Sequence, residues 1–332
     1  MSQPPGESLI DLDHLEPVRC NLCGADDTDV LATRSRFDVP LTSVLCRRCG
    51  LMYINPRMSS DQYRDFYKTT YRKFIRVKDS VDVIFEKEVL EGKNIFDFSR
   101  ARLTPGQRVL EIGCGPGGIL AAFQSEGMAV HGVEPSLEES AFARARGIPV
   151  DTLLLEEFPE TGPKFDFVIL SRSLNHLADP SAALAKAWTL LGDNKYLFVN
   201  LLDFPTQCRF GLVAECAQAD HLYMFSPEIA RVLLEKTGFE IIKMDVAGDH
   251  LSWWDQLFGA PRFHMKILAR RVEPKPMERI VFPSPQAIRQ KIRRNQQLFF
   301  LRRLVRPATY RHWLAVVIKR VFGEGVLTRL KR

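Results

Sequence analysis

A glycine-rich stretch most constrains how this chain of 332 residues can fold. The apolar run that begins at Arg108 leads into the sequence EIGCGPGG at 111–118, and helical spacing of apolar residues follows. Glycines let the chain turn tightly, and they let a ligand approach the backbone because no Cβ stands in the way. A strand, a glycine loop and a helix in this order predict the first βα unit of a ligand-binding α/β sheet.

The segment around this loop, from 107 to about 271, alternates β-type runs with amphipathic helical runs. Such alternation predicts βαβ units and a mostly parallel sheet with helices on both faces. We expect strands at 108–112, 129–133, 165–170, 195–200, 239–246 and 263–270, a weaker strand near 149–152, and helices at 117–126, 137–146, 180–191 and 226–237.

Two C-x-x-C-G motifs precede this segment, one formed by Cys20 and Cys23 and the other by Cys46 and Cys49. Each places two thiolates on one tight turn, and the glycine that follows permits the chain to curl around an ion. Four sulfurs complete a tetrahedron, which predicts a closed structural Zn²⁺ site without an open position for water. The two motifs are 22 residues apart, a spacing that a long β-hairpin accommodates; four unrelated cysteines are the alternative.

Charge and composition separate a basic C-terminal segment from an acidic body. The net charge is +6, yet residues 275–332 hold 15 basic and 2 acidic side chains, so the rest of the chain carries −7. Residues 1–6 lack the basic and apolar regions of a secretory signal, no run of about 18 apolar residues occurs, and paired cysteines suit a reducing compartment. We therefore expect a cytoplasmic protein.

Two acidic residues favour one cofactor over another at the glycine loop. Glu111 ends the first strand two residues before Gly113, where its carboxylate would repel a pyrophosphate and attract the cationic methionine end of S-adenosylmethionine (SAM). Glu134 ends the next strand, 21 residues after Gly113, where an acid can accept both ribose hydroxyls. A dinucleotide site is the alternative, because nicotinamide and flavin enzymes share such loops.

The motifs VLEIGCGPGG, GVEPS and FDFVILSRSLNHLADP, with GFEIIKMDV and FHMKILARR at the end, resemble the class I SAM-dependent methyltransferase core over about 107–271. The fold this implies is Rossmann-like, with seven strands and an antiparallel last strand. The N-terminal CNLCG and CRRCGLMYINPR are similar to the zinc-binding domain of bacterial methyltransferases, including sugar C-methyltransferases. The resemblance implies the following cofactor-binding set: Glu111, Gly113, Cys114, Gly115, Gly117, Glu134, Leu154 and Ser171.

Two features of this set depart from the general expectation. Leu154 occupies the place where such cores often carry an acid that contacts the adenine amino group, which leaves recognition to backbone groups, apolar packing or Glu156. Cys114 lies inside the loop, and a small buried residue is the simpler interpretation of its side chain.

Two segments are candidates for binding the methyl acceptor. His176 follows the fourth strand, where ligands bind in open α/β sheets, although helix capping is an alternative role. Asp220 and His221 precede a helix start at Ser226, and their segment is similar to the EHLSYFS-like stretch of the sugar C-methyltransferases, which implies a His base beside a carboxylate. Tyr67 and Tyr71 are either a lid or packing residues, and Trp253 and Trp254 line a pocket or bury their loop.

We expect five segments: a disordered N-terminus at 1–17, a zinc ribbon at 18–57, a helical connector at 58–106, the methyltransferase core at 107–272 and a basic amphipathic tail at 273–332. In the tail, Leu298, Leu301, Leu304 and Val305 share a helical face beside arginines, and 312–322 repeats the pattern. Such a helix can dock on its own protein, lie on the inner face of an anionic membrane or bind nucleic acid.

The function that follows is methyl transfer from SAM to a small or lipid-linked acceptor, such as a sugar of a polysaccharide or natural-product pathway. One alternative is an RNA or protein methyltransferase that uses the ribbon and tail to hold a macromolecule. The other is a binding protein that keeps the cofactor fold without catalysis.

Overall fold

A computed structural model describes residues 12, 14–70, 79–248 and 262–305. Its strands are β1 Thr28–Ala32, β2 Ser43–Cys46, β3 Met52–Ile54, β4 Arg108–Ile112, β5 Ala129–Val133, β6 Val150–Asp151, β7 Phe165–Ser171, β8 Leu191–Leu202, β9 Tyr223–Met224, β10 Phe239–Gly248 and β11 Phe263–Arg271. Its α-helices are α1 Ser60–Asp65, α2 Val81–Ser99, α3 Gly118–Ser125, α4 Leu137–Ala145, α5 Pro180–Leu190, α6 Phe204–Gln207, α7 Val213–Cys216, α8 Pro227–Lys236 and α9 Pro285–Val305, with a π-helical turn at Phe66–Thr70 after α1.

The main sheet has seven strands in the order β10-β11-β8-β7-β4-β5-β6. Pairing is parallel from β8 through β7, β4 and β5 to β6, whereas β11 runs antiparallel to both β8 and β10. The expected Rossmann-like arrangement is confirmed, and the strands and helices lie where their periodicity predicted them. Strand β4 is central, and four of its five residues are buried, as a strand covered on both faces must be.

Three of the helices around the sheet begin at an N-cap residue whose side chain accepts a hydrogen bond from the helix. Ser136, Asp179 and Ser226 each accept a hydrogen bond from the backbone N–H three residues later, which satisfies an otherwise unpaired donor. Pro follows Asp179 and Ser226 at the first helical position. The expected helix start at Ser226 is confirmed, and Asp179, not Asn175 or His176, caps α5.

A second sheet joins the cysteine-rich segment to the core, with the order β1-β2-β3-β9. Strand β9 belongs to the segment between β8 and α8, and it pairs antiparallel with β3 at Tyr53 and Tyr223. Buried side chains of both segments form one continuous hydrophobic cluster. The cysteine-rich segment is therefore packed into the core and held by backbone hydrogen bonds.

Helices α2 and α3 pack unusually closely, because a glycine of each faces the other helix. A Cβ added at Gly92 of α2 would lie 2.7 Å from the Cβ of Ala122 and 2.9 Å from Ile119 Cα. A Cβ added at Gly118 of α3 would lie 2.3 Å from the carbonyl oxygen of Phe85 and 2.5 Å from Glu88 Cβ. This contact places α2 directly over the glycine loop.

Helix α9, the first part of the basic tail, docks on its own protein. Ile288 and Ile292 are buried, and Arg289 pairs with Asp29 of β1. The side-chain amide of Asn295 donates to the carbonyl of Pro205 at 2.6 Å, and that of Gln296 donates to the carbonyls of Cys208 and Gly211 at 2.7 Å. The docking alternative for the tail is thus correct for this helix.

Beyond that contact, α9 leaves apolar groups in solvent: Phe300 is 51% and Leu301 57% exposed. The continuation of the amphipathic pattern at 312–322 lies outside the described residues, as do Tyr71, Trp253 and Trp254. Among the helices of the described residues, none is both long and apolar enough to cross a bilayer.

The expectation of a disordered 1–17 is wrong at its C-terminal end. Glu16 forms a β-bridge with Arg57, with backbone hydrogen bonds of 2.8 and 3.0 Å. Leu12 and Leu15 pack against the hydrophobic cluster, so apolar burial anchors this part of the chain.

Candidate functional site

A cavity of about 1210 Å³ opens at the carboxyl edge of the parallel strands. Its walls come from the glycine loop, the ends of β5 and β7, the segment before β9, and helices α1 and α2 of the connector. This position follows from topology, since ligands in open α/β sheets bind where the strands end.

The glycine loop adopts backbone conformations that side chains disfavour. Gly113, Gly115 and Gly117 have φ values of 73°, 52° and 85°, in the left-handed region that glycine enters without steric cost. Gly113 and Gly115 line the cavity. Gly117 does not, because it precedes α3 and faces α4, where a Cβ would lie 3.1 Å from Ala143. Contact of Gly117 with the cofactor therefore stays a prediction.

Cys114 also faces away from the cavity. Its backbone N–H donates to the carbonyl of Val133 at 3.2 Å, and its thiol is buried in the core. A Cβ added at Gly132 would lie 2.5 Å from this sulfur, so Cys114 fills the space that Gly132 leaves. This geometry supports the simpler interpretation of a small buried residue, and contact of Cys114 with the cofactor stays a prediction.

Glu111 lies buried at the end of β4, with 1% of its surface exposed. Its Oε2 has no hydrogen-bond partner among the described residues. Burial raises the pKa of this carboxyl group well above its usual value, and the carboxylates of Glu88 and Glu134 raise it further. A buried acidic group that lacks a partner is suited to a positively charged ligand.

Glu134 is held at the end of β5 by two backbone donors. Its Oε2 accepts from the N–H of Gly115 at 3.0 Å, and its Oε1 accepts from the N–H of Ser136 at 2.8 Å. These contacts fix the carboxylate at the cavity wall.

Leu154 and Ser171 line the same cavity, as does Glu156. Ser171 is buried, and its hydroxyl has no hydrogen-bond partner among the described residues. The polar groups at the strand ends and the apolar wall at Leu154 fit a ligand with a polar middle and a flat apolar end.

Four side chains that line the same cavity lie close together, and we call them the His–Asp cluster: Tyr67, His176, Asp220 and His221. The Tyr67 hydroxyl lies 2.8 Å from both His176 Nδ1 and the carbonyl oxygen of Asp220. His176 Nδ1 is 3.0 Å from that carbonyl. The rings of His176 and His221 meet edge to face, with 4.6 Å between their centroids.

The Asp220 carboxylate lies near both histidines. Its Oδ2 is 3.8 Å from His176 Nδ1, and one ligand atom from each of His176, Asp220 and His221 lies within 4.8 Å of the others. The sequence had offered only His221 as the partner of this carboxylate. His221 Nδ1 also lies 3.4 Å from the side-chain nitrogen of Gln218.

The electrostatic surroundings keep both imidazoles neutral. Burial lowers the pKa of His221 well below its usual value, and the charges of His176, Arg262, Arg36 and His264 lower it further. Burial also lowers the pKa of His176, although Asp220 partly opposes this effect. Burial raises the pKa of Asp220, which His176 partly opposes. Neutral imidazoles can accept protons.

The four paired cysteines form a compact cluster with every sulfur within 4.8 Å of the others. Cys20 Sγ is 3.4 Å from Cys49 Sγ, and Cys23 Sγ is 3.5 Å from Cys46 Sγ. Four sulfurs bound tetrahedrally at about 2.3 Å lie roughly 3.8 Å apart, close to these distances. Strands β1 and β2 form the hairpin between the two pairs, so the cluster fits a zinc ribbon.

Sequence reasoning did not anticipate the contacts that three of the cavity residues make. Tyr67 is part of the hydrogen-bonded cluster, whereas the sequence suggested a lid or packing. Glu88 of α2 reaches the glycine loop, where its Oε2 accepts from the N–H of Gly118 at 3.3 Å. Arg36, from the loop after β1, donates to Gln218 at 3.2 Å. The facing glycines of α2 and α3 were the available signal for Glu88; no local pattern marks the others.

Comparisons with known proteins show similarity to methyltransferases over part of this chain. Residues 84–244 match the family model described as a methyltransferase domain. A ubiquinone biosynthesis O-methyltransferase of Rhizobium etli is 35% identical over 100 residues, which are 27% of this chain and 40% of that protein. The corresponding enzyme of Haemophilus ducreyi is 25% identical over 46% of this chain and 64% of its own length. The chain thus spans less than half of the first of these relatives.

Among solved structures, the chain is similar to magnesium protoporphyrin IX methyltransferase from Synechocystis, with 18% identity and a TM-score of 0.47 over 64% of this chain and all of that one. A methyltransferase from Thermotoga maritima, described as a possible histamine N-methyltransferase, is 22% identical over 63% of this chain and 99% of its own, with a TM-score of 0.45.

Proposed function

We propose that this chain, whose residues 84–244 match a methyltransferase domain, transfers the methyl group of SAM to a small-molecule acceptor bound at the His–Asp cluster. The observation that carries the proposal is that the glycine loop and this cluster line one cavity. When bound, SAM supplies a methyl group already activated by the sulfonium. The chain itself therefore has to align the acceptor and take up a proton.

The described residues fit SAM at the loop end. We assign Gly113 and Gly115 to the methionine part, because no side chain blocks approach to their backbone. Glu134 is assigned to the ribose hydroxyls. Glu111 is assigned to the cationic end of SAM, whose positive charge would hold its buried carboxyl group ionised. Ser171 and Leu154 complete the wall, with Leu154 packing against the adenine.

The His–Asp cluster is suited to receive a proton from the acceptor. A carbonyl oxygen can only accept hydrogen bonds, so the contact from His176 Nδ1 to the Asp220 carbonyl assigns the hydrogen to Nδ1. Nε2 of His176 is then the unprotonated nitrogen. The nearby carboxylate of Asp220 stabilises the imidazolium that forms. His221, whose lowered pKa also keeps it neutral, is the second candidate base.

The experiment supplies methyl-labelled SAM to the full chain with fractionated cell extract, and asks which pool takes up label. We expect label in small molecules or lipids. His176→Asn and His221→Asn are compared with His131→Asn, which alters a histidine paired with Asp151 away from the cavity. Loss of a general base lowers the rate by about 10²–10⁴-fold. We expect such a loss for at least one cluster variant, with SAM affinity kept, and none for the control.

Label in RNA or protein would contradict a small-molecule acceptor and favour the macromolecular alternative. Absence of label in every pool, with SAM binding demonstrated, would contradict catalysis and favour a binding protein. Equal labelling by the wild type and both cluster variants would remove the cluster from the mechanism.

The finer identity of the acceptor is also a proposal. The N-terminal motifs support a sugar, whereas the curated relatives are named ubiquinone biosynthesis O-methyltransferases. Both are small-molecule or lipid-linked classes, and the label assay separates them by extraction. Exposed Phe300 and Leu301 beside the arginines of α9 support contact of the tail with an anionic membrane.

The four-cysteine cluster is proposed to hold a structural Zn²⁺. Four thiolates leave no position for water or substrate. The ion would fix the turns that carry β1, β2 and β3. Because β3 pairs with β9, it would also support the segment that bears Asp220 and His221.

A further inference from the structure

Helix α2 of the connector places a carboxylate directly against the glycine loop. Glu88 Oε2 accepts from the backbone N–H of Gly118 at 3.3 Å. A Cβ added at Gly115 would lie 3.4 Å from Glu88 Oε1, and Glu88 lines the cavity. The close packing of Gly118 against α2 leaves this carboxylate little freedom to move away.

Glu88 adds to a concentration of negative charge around the loop. Burial raises the pKa of Glu111 most, the Glu88 carboxylate raises it further, and Arg172 partly opposes these effects. Burial also raises the pKa of the Cys114 thiol, and the carboxylates of Glu111, Glu134 and Glu88 add to that effect. Glu111 Oε2 is buried and has no partner among the described residues. Bringing like charges together in a site of low polarity costs free energy. A cationic ligand would remove that cost, which a neutral ligand would not.

We propose that Glu88 is a specificity residue that favours the cationic methyl donor over its neutral-sulfur product. The inference rests on the proposed function, in which this cavity binds SAM. Methyl transfer breaks the S–CH₃ bond, forms a bond from that carbon to the acceptor, and leaves an electron pair on sulfur. The sulfonium becomes a neutral thioether, so the ligand loses one positive charge. Attraction to Glu88 and Glu111 weakens, which favours exchange of S-adenosylhomocysteine for fresh SAM.

Glu88→Gln tests this role because glutamine keeps the shape and can still accept from the Gly118 N–H. Calorimetry measures the affinities of SAM and S-adenosylhomocysteine in low salt without an acceptor. We expect the variant to bind SAM about five- to tenfold more weakly, the size expected for one charge about 6–9 Å away at an effective dielectric of about 40. Affinity for S-adenosylhomocysteine should change less than about twofold on the same argument.

Glu91→Gln is the matched control, since Glu91 lies one turn along α2 and accepts from Asn200 at 3.2 Å instead of contacting the loop. It should leave the ratio of the two affinities unchanged. Equal weakening of both ligands by Glu88→Gln, or no weakening of either, would overturn the specificity role. A wild-type chain that binds neither ligand would instead overturn the proposed function. Both ligands are measured on one preparation, so partial misfolding cannot mimic the expected change in ratio.

Discussion

The substitution Gly118→Ala should change the free energy of unfolding through two effects of opposite sign, at the point where α2 packs over the glycine loop. In an unhindered helix, replacing glycine with alanine stabilises by up to about 1 kcal/mol. Here the new Cβ would lie 2.3 Å from the carbonyl oxygen of Phe85 and 2.9 Å from the backbone nitrogen of Val89. Both are backbone atoms, so the overlap is relieved only if helix α2 moves as a whole, by roughly 1 Å to restore ordinary contact.

Overpacking of this kind typically costs about 1–3 kcal/mol, and the contact with rigid backbone places Gly118→Ala toward the upper end. After subtraction of the helix-propensity gain, we expect a net loss of about 1–2 kcal/mol. That corresponds to a fall of roughly 2–8 °C in Tm, at about 2–4 °C per kcal/mol for domains of this size. Displacement of α2 also moves Glu88 away from the loop, so SAM affinity should fall as well.

Thermal unfolding and SAM calorimetry measure the two effects on the same protein. Gly147→Ala is the control: its φ is 77°, and no other atom lies within 4 Å of the added Cβ. It should lower stability by about 1–2 kcal/mol through backbone strain alone and leave SAM binding intact. A Gly118→Ala variant with unchanged or raised Tm and normal SAM affinity would refute the argument, because α2 would then tolerate a side chain at the crossing.

Three further predictions concern other parts of the chain. Cys49→Ser should lower the zinc content from about one ion per chain and destabilise the ribbon, as metal analysis and thermal unfolding can show; Cys216→Ser, outside the cluster, should keep the metal. The folded-state pKa of His221 is lowered, so its contribution to stability should be fully present above the unfolded pKa of about 6.5 and be lost as pH falls below it. The measurement is the difference in unfolding free energy between wild type and His221→Asn as a function of pH. This difference removes the contributions of the other nearby charged groups, which both proteins share: His176, Asp220, Arg36, Arg262 and His264. A difference that does not change with pH would contradict the prediction. Full-length protein should pellet with anionic but not neutral liposomes, whereas a chain ending at residue 284 should pellet with neither; recovery of both in the supernatant would exclude membrane contact.

The positions of single elements were readable from local sequence because local physics determines them. Alternating apolar residues marked the buried strands, and Ser226 with Pro227 marked a helix start whose cap the structure contains. The φ values above 50° at Gly113 and Gly115 follow from the same glycines that identified the loop. The paired cysteines likewise depend on short turns.

Pairings between distant residues were decided only by the packing of layers. The Asp220 carboxylate lies beside His176 as well as near its neighbour His221, and the Tyr67 hydroxyl contacts His176 and the Asp220 carbonyl from the connector. Glu88 meets the loop because two glycines let α2 and α3 approach closely.

The sequence by itself determined the α/β class, the glycine loop, the paired cysteines and the identity of most residues at the cavity. The tertiary structure alone decided which side chains face that cavity: it turned Cys114 and Gly117 away, and it joined β9 to the ribbon. The physical reason is that periodicity specifies which face of an element is apolar, whereas contacts across elements depend on how those faces stack. That stacking minimises the exposed apolar surface of the whole chain, which cannot be calculated from a short stretch of sequence.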